Sequence, residues 1–216
     1  MSATPQPARY SANERAADRT VHLAGLVLGS AGAAILLALA ARRGSTAIVV
    51  AGLIYSASLM AMLMCSTLYH HSTQAYRPFL RRLDHAAIFI LIGGTYTPFT
   101  TCRLHGAWAI ALTGAVWAGA LDGAAVKLWG PVRSTGLSTA AYIALGWIGI
   151  IALRPILAAV DPLSLILIAI GGVIYSIGAG VHRWRALPFH NAIWHAMVVI
   201  AAFCQFVAVL RGVVLA

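Results

Sequence analysis

The chain has 216 residues, 61% of them hydrophobic and 9% charged, with a mean hydropathy of +0.85. That balance excludes an ordinary soluble domain and implies a multi-pass protein integral to the cell membrane. The formal net charge of +10 does not point to nucleic acid, because the basic residues are scattered through short connections and form no stripe; they suit topology and contact with anionic membrane lipid.

Met1 to Arg19 is polar, lacks the hydrophobic region of a signal peptide, and reads as a cytoplasmic tail, 1–19. A helix needs about 20 mostly apolar residues to cross a bilayer. Seven such runs follow, at roughly 20–41, 46–70, 83–103, 106–127, 136–157, 162–182 and 190–211. Every break carries a breaker or a charge, among them Arg42-Arg43-Gly44, Pro78, Gly130-Pro131 with Arg133, Arg154-Pro155, Asp161-Pro162 and Pro188. The connections are too short for a further domain. Residues 20–216 therefore read as one all-α domain, a seven-transmembrane helix bundle.

Orientation follows from the Lys and Arg distribution. The tail and the loops after spans two, four and six hold Arg9, Arg15, Arg19, Arg77, Arg81, Arg82, Lys127, Arg133, Arg183 and Arg185; the opposite side holds Arg42, Arg43, Arg103, Arg154 and Arg211. This places the N-terminus in the cytoplasm and, with seven spans, the C-terminus outside. Cys65, Cys102 and Cys204 lie in apolar runs without paired spacing, as free thiols. Small residues such as Gly25, Gly29, Gly114 and Gly178 permit close helix contact. Pro98 is expected to bend span three, with neighbouring threonines partly satisfying the freed carbonyls. Asp122 reads as a structural charge paired with Lys127, so the spans offer little for transport.

The topology gathers polar groups at one membrane depth. Ser66 and His70 are four residues apart at the end of span two, on one helical face. Asp84 opens span three, and His190 and His195 open span seven. Three imidazoles, a water and a nearby carboxylate make the usual inventory of a catalytic zinc centre. The competing reading is that polar residues simply collect at the wet interface. For His22, His71, His85 and His182 the interfacial reading is preferred.

Three stretches carry a resemblance: Ser66-Thr67-Leu68-Tyr69-His70, Asp84-His85 through Gly93-Gly94-Thr95-Tyr96-Thr97-Pro98, and Ala192-Ile193-Trp194-His195. With Gly172 to Gly178 between them, they resemble the haemolysin III family, within the progestin and adipoQ receptor superfamily that includes the adiponectin receptors. The resemblance covers the chain after its tail and implies seven helices, a cytoplasmic N-terminus and a zinc ion near the cytoplasmic face. It makes His70 a zinc ligand and brings Asp84 and Ser66, the catalytic candidates, to the zinc-bound water.

One departure stands out. The family pattern in the last span is His-x-x-x-His, yet four residues before His195 stands Asn191, with His190 one place earlier. A spacing of five rotates a side chain by about 140° from its partner at 3.6 residues per turn. Either His190 or Asn191 would have to complete the metal set, or the site is incomplete.

Functionally, the resemblance points to a zinc-dependent hydrolase of a lipid amide such as a ceramide. The alternatives are a non-enzymatic regulator or sensor of membrane state with a structural metal, and a cytolysin.

Overall fold

A computed structural model of the chain describes residues 11–130 and 135–216. Tail residues 1–10, including Arg9, and the connection holding Arg133 lie outside the described residues. The described chain is helical, in the order α1 (Ala12–Arg42), α2 (Thr46–His71), α3 (Arg77–Cys102), α4 (Gly106–Trp129), α5 (Thr135–Gly146), α6 (Leu153–Ala159), α7 (Pro162–Arg183) and α8 (His190–Val209). A 3₁₀ segment, Ile148–Ala152, joins α5 to α6, and a π turn, Leu210–Val214, extends α8.

This is an all-helical membrane bundle of seven long segments, because α5, the 3₁₀ segment and α6 together make one crossing. Six of the seven are long and apolar enough to span a bilayer by length and composition. The exception is α3, which carries Arg77, Arg81, Arg82 and Asp84 in its first turns. It is long enough to cross and runs through the packed interior, between α2 and α4. Its buried residues include Asp84, Phe89, Gly93, Gly94, Thr97 and Thr100. A helix shielded by neighbours on both sides does not need a uniformly apolar surface.

The fifth span corrects the expectation of one helix over 136–157. Pro155 has no N–H to give the Ile151 carbonyl and its ring crowds that turn. The Tyr96 hydroxyl from α3 attends to the break: it donates to Gly146 O at 2.7 Å and accepts from Gly149 N at 3.0 Å. Around Pro98, Thr97 donates to Gly93 O at 2.8 Å and Thr101 to Thr97 O at 2.7 Å, while Trp117 Nε1 donates to Thr97 Oγ1 at 3.0 Å. The three cysteines are free thiols. Lys127, expected to pair with Asp122, instead donates to Ser138 Oγ.

The main helix contacts are α2 on α3, α3 on α4 and α7 on α8, with α1 lying against both α2 and α8. The start of α1 and the ends of α2 and α7 therefore share one face of the bundle with the starts of α3 and α8; we call this the N-terminal end. At the opposite end, Asp161 caps α7 by accepting from Ser164 N at 3.1 Å and from Arg211 Nε at 3.0 Å.

Close packing of α2 on α3 depends on Gly94. A Cβ there would stand 2.7 Å from Ser58 Cβ and 3.3 Å from Ile54 O. Gly94→Ala is therefore expected to destabilise the bundle by about 1–3 kcal/mol through overpacking. Gly114→Ala, with nothing within 4 Å of its added Cβ, should be neutral or stabilising by up to about 1 kcal/mol through helix propensity. Thermal unfolding in detergent compares the two variants.

Candidate metal centre

The centre is built from the first turns of α1. Ser11 and Glu14 form a capping box: Glu14 N donates to Ser11 Oγ at 3.1 Å, and Ser11 N to Glu14 Oε2 at 2.7 Å. The cap starts the helix at Ala12, eight residues before the apolar run begins, so α1 is one continuous helix through both segments. The second oxygen of Glu14 accepts from Phe189 N at 3.0 Å. Phe189 caps α8 in the left-handed region, with φ 59°. A bulky residue rarely adopts that conformation, and the Glu14 contact helps to hold it there. The start of α1 is thereby fastened to the start of α8.

One turn beyond Glu14, Asp18 meets three imidazoles. Its Oδ1 accepts from His195 Nδ1 at 2.6 Å, while its Oδ2 lies 3.3 Å from His70 Nδ1 and 3.7 Å from His22 Nε2. The rings crowd together, with centroids 4.3 Å apart for His22 and His195, 4.4 Å for His70 and His195, and 5.0 Å for His22 and His70. His22 and His195 are buried. Potential donor atoms of Asp18, His22, His70 and His195 all lie within 4.8 Å of one another.

These residues suit a metal ion. His22 Nε2 is buried without a hydrogen-bond partner among the described residues, which a bound cation would resolve. Metal–donor bonds of 2.0–2.1 Å put the corners of a tetrahedron roughly 3.3 Å apart, and the separations of 3.3 and 3.7 Å from Asp18 Oδ2 bracket that spacing. Nitrogen and carboxylate oxygen donors suit a borderline divalent ion.

Asp84 and Ser66, the catalytic candidates, are both buried at this end of the bundle. The Ser66 hydroxyl faces the Asp84 carboxyl, which lies in electrostatic reach of His70 and His195. His70, His195, Asp84 and Ser66 therefore converge. His190 does not join the cluster: it is buried, with its Nδ1 3.1 Å from Leu187 O. Asn191, next along the chain, is half-buried. The other members of the cluster, Asp18 and His22, come from α1.

Sequence reasoning passed over Asp18 and assigned His22 to the interface. The available signals were the four-residue spacing that puts both on one helical face and the Ser-x-x-Glu cap that starts the helix ahead of them.

Grooves mark the surface of the described residues. One of about 490 Å³, lined by Thr67, Leu68, His71, Tyr76, Phe79 and Leu80, opens between α2 and α3 at the N-terminal end. His71 in its wall stands 5.7 Å, ring to ring, from His22. Another, of about 460 Å³, is lined by Cys102, Arg103 and Pro155 at the far end, away from the centre.

A family model described as haemolysin-III related matches residues 11–206. The chain is 35% identical over 202 residues to the hemolysin-3 homolog of Bacillus subtilis (strain 168), covering 93% of this chain and 95% of that protein. It is 35% identical over 199 residues to hemolysin-3 of Bacillus cereus, covering 91% and 90%.

The donor set makes a discriminating prediction. Asp18→Ala and His70→Ala should each weaken divalent-metal affinity at least tenfold, in line with loss of a ligand or of its orienting partner. His190→Ala should bind as the unsubstituted protein does. Metal titration followed by thermal shift measures all three; a loss confined to His190→Ala would restore the pairing of His190 with His195.

Proposed function

The chain belongs to the haemolysin-III related family and is an integral multi-pass membrane protein, and from this we propose that it is a zinc-dependent hydrolase of a lipid amide. The observation that carries the reading is the buried Asp84 and Ser66 pair beside a three-histidine cluster. His22, His70 and His195 would hold the ion, with Asp18 as a further donor or as the partner that orients His195. The chemistry such an ion supplies is that of a Lewis acid, which polarises a carbonyl and acidifies water.

The protein's own groups perform the rest. Ser66, beside the Asp84 carboxyl, would orient it, and an Asp84 oxygen would accept a proton from the attacking water. The water oxygen bonds to the amide carbon, the carbon–nitrogen bond breaks, and the proton passes from Asp84 to the departing amine. Burial of both residues shields this exchange from bulk water. The groove beside His71, walled by Leu68, Phe79 and Leu80, offers an apolar berth for an acyl chain entering sideways from the bilayer.

A structural metal is the second reading, favoured by one observation. Asp18 gives the three imidazoles a fourth donor, and four protein ligands close a tetrahedral site in the manner of structural zinc. The ion would then lock α1, α2 and α8 together in a regulator or sensor of the membrane.

Metal analysis of the purified protein and of His70→Ala tests for the ion. Asp84→Asn is expected to keep the metal and lower hydrolysis of a ceramide-type amide by a factor of about 10²–10⁴, the usual contribution of a general base. Normal turnover by that variant would overturn the role of Asp84. A metal whose chelation lowers the melting temperature sharply, in a protein that cleaves no amide lipid, would establish the structural reading instead.

A further inference from the structure

The groove of about 490 Å³ between α2 and α3 is one-sided in its hydrogen bonding. Three polar side chains that line it, at the end of α2 and just beyond, direct their protons to main-chain oxygens of that helix. The Thr67 hydroxyl donates to Leu63 O at 2.7 Å, His71 Nδ1 meets Thr67 O at 2.8 Å, and the Ser72 hydroxyl donates to Tyr69 O at 2.9 Å. A carbonyl oxygen only accepts, so His71 Nδ1 carries the proton, and in the neutral ring Nε2 is left as an acceptor. The Thr67 and Ser72 oxygens keep lone pairs and have no second proton to give. The remaining hydroxyls on the groove, of Thr73 and Tyr76, belong to exposed residues and can give or accept.

Among the described residues, no Asp, Glu, Lys or Arg lines this groove. An anionic headgroup would meet lone pairs and no cation there, whereas a headgroup with N–H or O–H donors would find acceptors. The walls are apolar, and Leu68 and Phe79 are exposed. Met64, one turn before Leu68 on the same face of α2, is exposed as well. An apolar track therefore leads from the groove along α2 toward the middle of the membrane, and the groove is of the size that holds a small ligand. The His71 ring stands 5.7 Å from that of His22, so a headgroup held by His71 lies beside the candidate metal centre.

Building on the groove as the acyl-chain berth of the lipid-amide hydrolase, we propose that it selects an uncharged lipid whose headgroup carries hydrogen-bond donors, an amide N–H or a hydroxyl, with His71 Nε2 and the Thr67 hydroxyl oxygen as the accepting atoms. His71 acts in selection only, and the proton transfers stay with Asp84.

The test uses the full-length protein in lauryldimethylamine oxide, a detergent without hydrogen-bond donors, with binding read by native mass spectrometry before and after chelation. The probes have matched alkyl chains: palmitoylethanolamide has an amide N–H and a hydroxyl, methyl palmitate has acceptors only, and hexadecyl sulfate has acceptors and a negative charge. Palmitoylethanolamide is expected to be retained best, with the preference intact after chelation. His71→Leu should weaken its retention about fivefold, the net worth of one hydrogen bond, and His71→Gln, which keeps a side-chain acceptor, should restore most of it. Thr67→Val, close in shape to the original residue, should show a similar loss and serves as the second variant. Methyl palmitate retention should be the same in all of these. Equal retention of amide and ester, stronger retention of the sulfate, or undiminished amide retention in folded His71→Leu and Thr67→Val would overturn the proposal. A preference that vanishes on chelation would move the contact to the metal and overturn it as well. Because binding is read and not cleavage, a protein that shows the preference but cleaves no amide would uphold the groove and sink the hydrolase, and cleavage without the preference would do the reverse.

Discussion

The arrangement of the N-terminal end depends on one carboxylate. Asp18 lies within 2.6 to 3.7 Å of imidazole nitrogens from His195, His70 and His22, and these residues stand on α1, α2 and α8. A carboxylate removed from water is tolerated only with compensating partners, so helices carrying the partners must stay close. The geometry upstream serves the same contact. The capping box extends α1 past the membrane run, Glu14 holds the left-handed Phe189 at the start of α8, and Asp18 follows one turn later at the height of His195.

Much of this was legible in the sequence, for reasons that also explain what was not. Ser66, His70, Asp84 and His195 could be found because spans of known length place their ends at one depth, which converts distant sequence positions into neighbours. The same argument cannot choose between residues at one helix end. Spacing from His195 bears only on His190 and Asn191, whereas the two further members of the cluster, Asp18 and His22, come from another helix. Asp18 was hidden because the polar tail was read as ending where hydropathy rises. Hydropathy reports where lipid begins, and the helix begins earlier, at the Ser11 cap.

The two mid-chain departures share a cause. Hydropathy treats the fifth span as one object, but Pro155 and Gly146 leave its backbone short of helical partners, and Tyr96 from α3 supplies two of the missing bonds. Tertiary contacts of that kind are invisible to a window average. The same α3 falls short on apolarity because it is packed on both sides, with Thr97 serving Gly93 and Trp117. In this bundle the least hydrophobic crossing is the most central one.

The chemistry open to the centre turns on which bond Asp18 makes. As the acceptor from His195 Nδ1, it leaves His195 Nε2 with a lone pair to offer, the pattern in which a carboxylate orients a metal-binding imidazole. The three imidazoles would then be the residues that hold an ion, with Asp84 and Ser66 beside them to handle a proton. As a direct ligand through Oδ2, Asp18 would join them in holding the ion, and the centre would be a clasp between α1, α2 and α8. The 2.6 Å contact with His195 favours the orienting role, while the 3.3 and 3.7 Å separations of Oδ2 from the other two imidazoles are those of neighbouring ligands. The contacts are made by different oxygens of one carboxylate, so a single placement of Asp18 accommodates both the orienting and the ligating role.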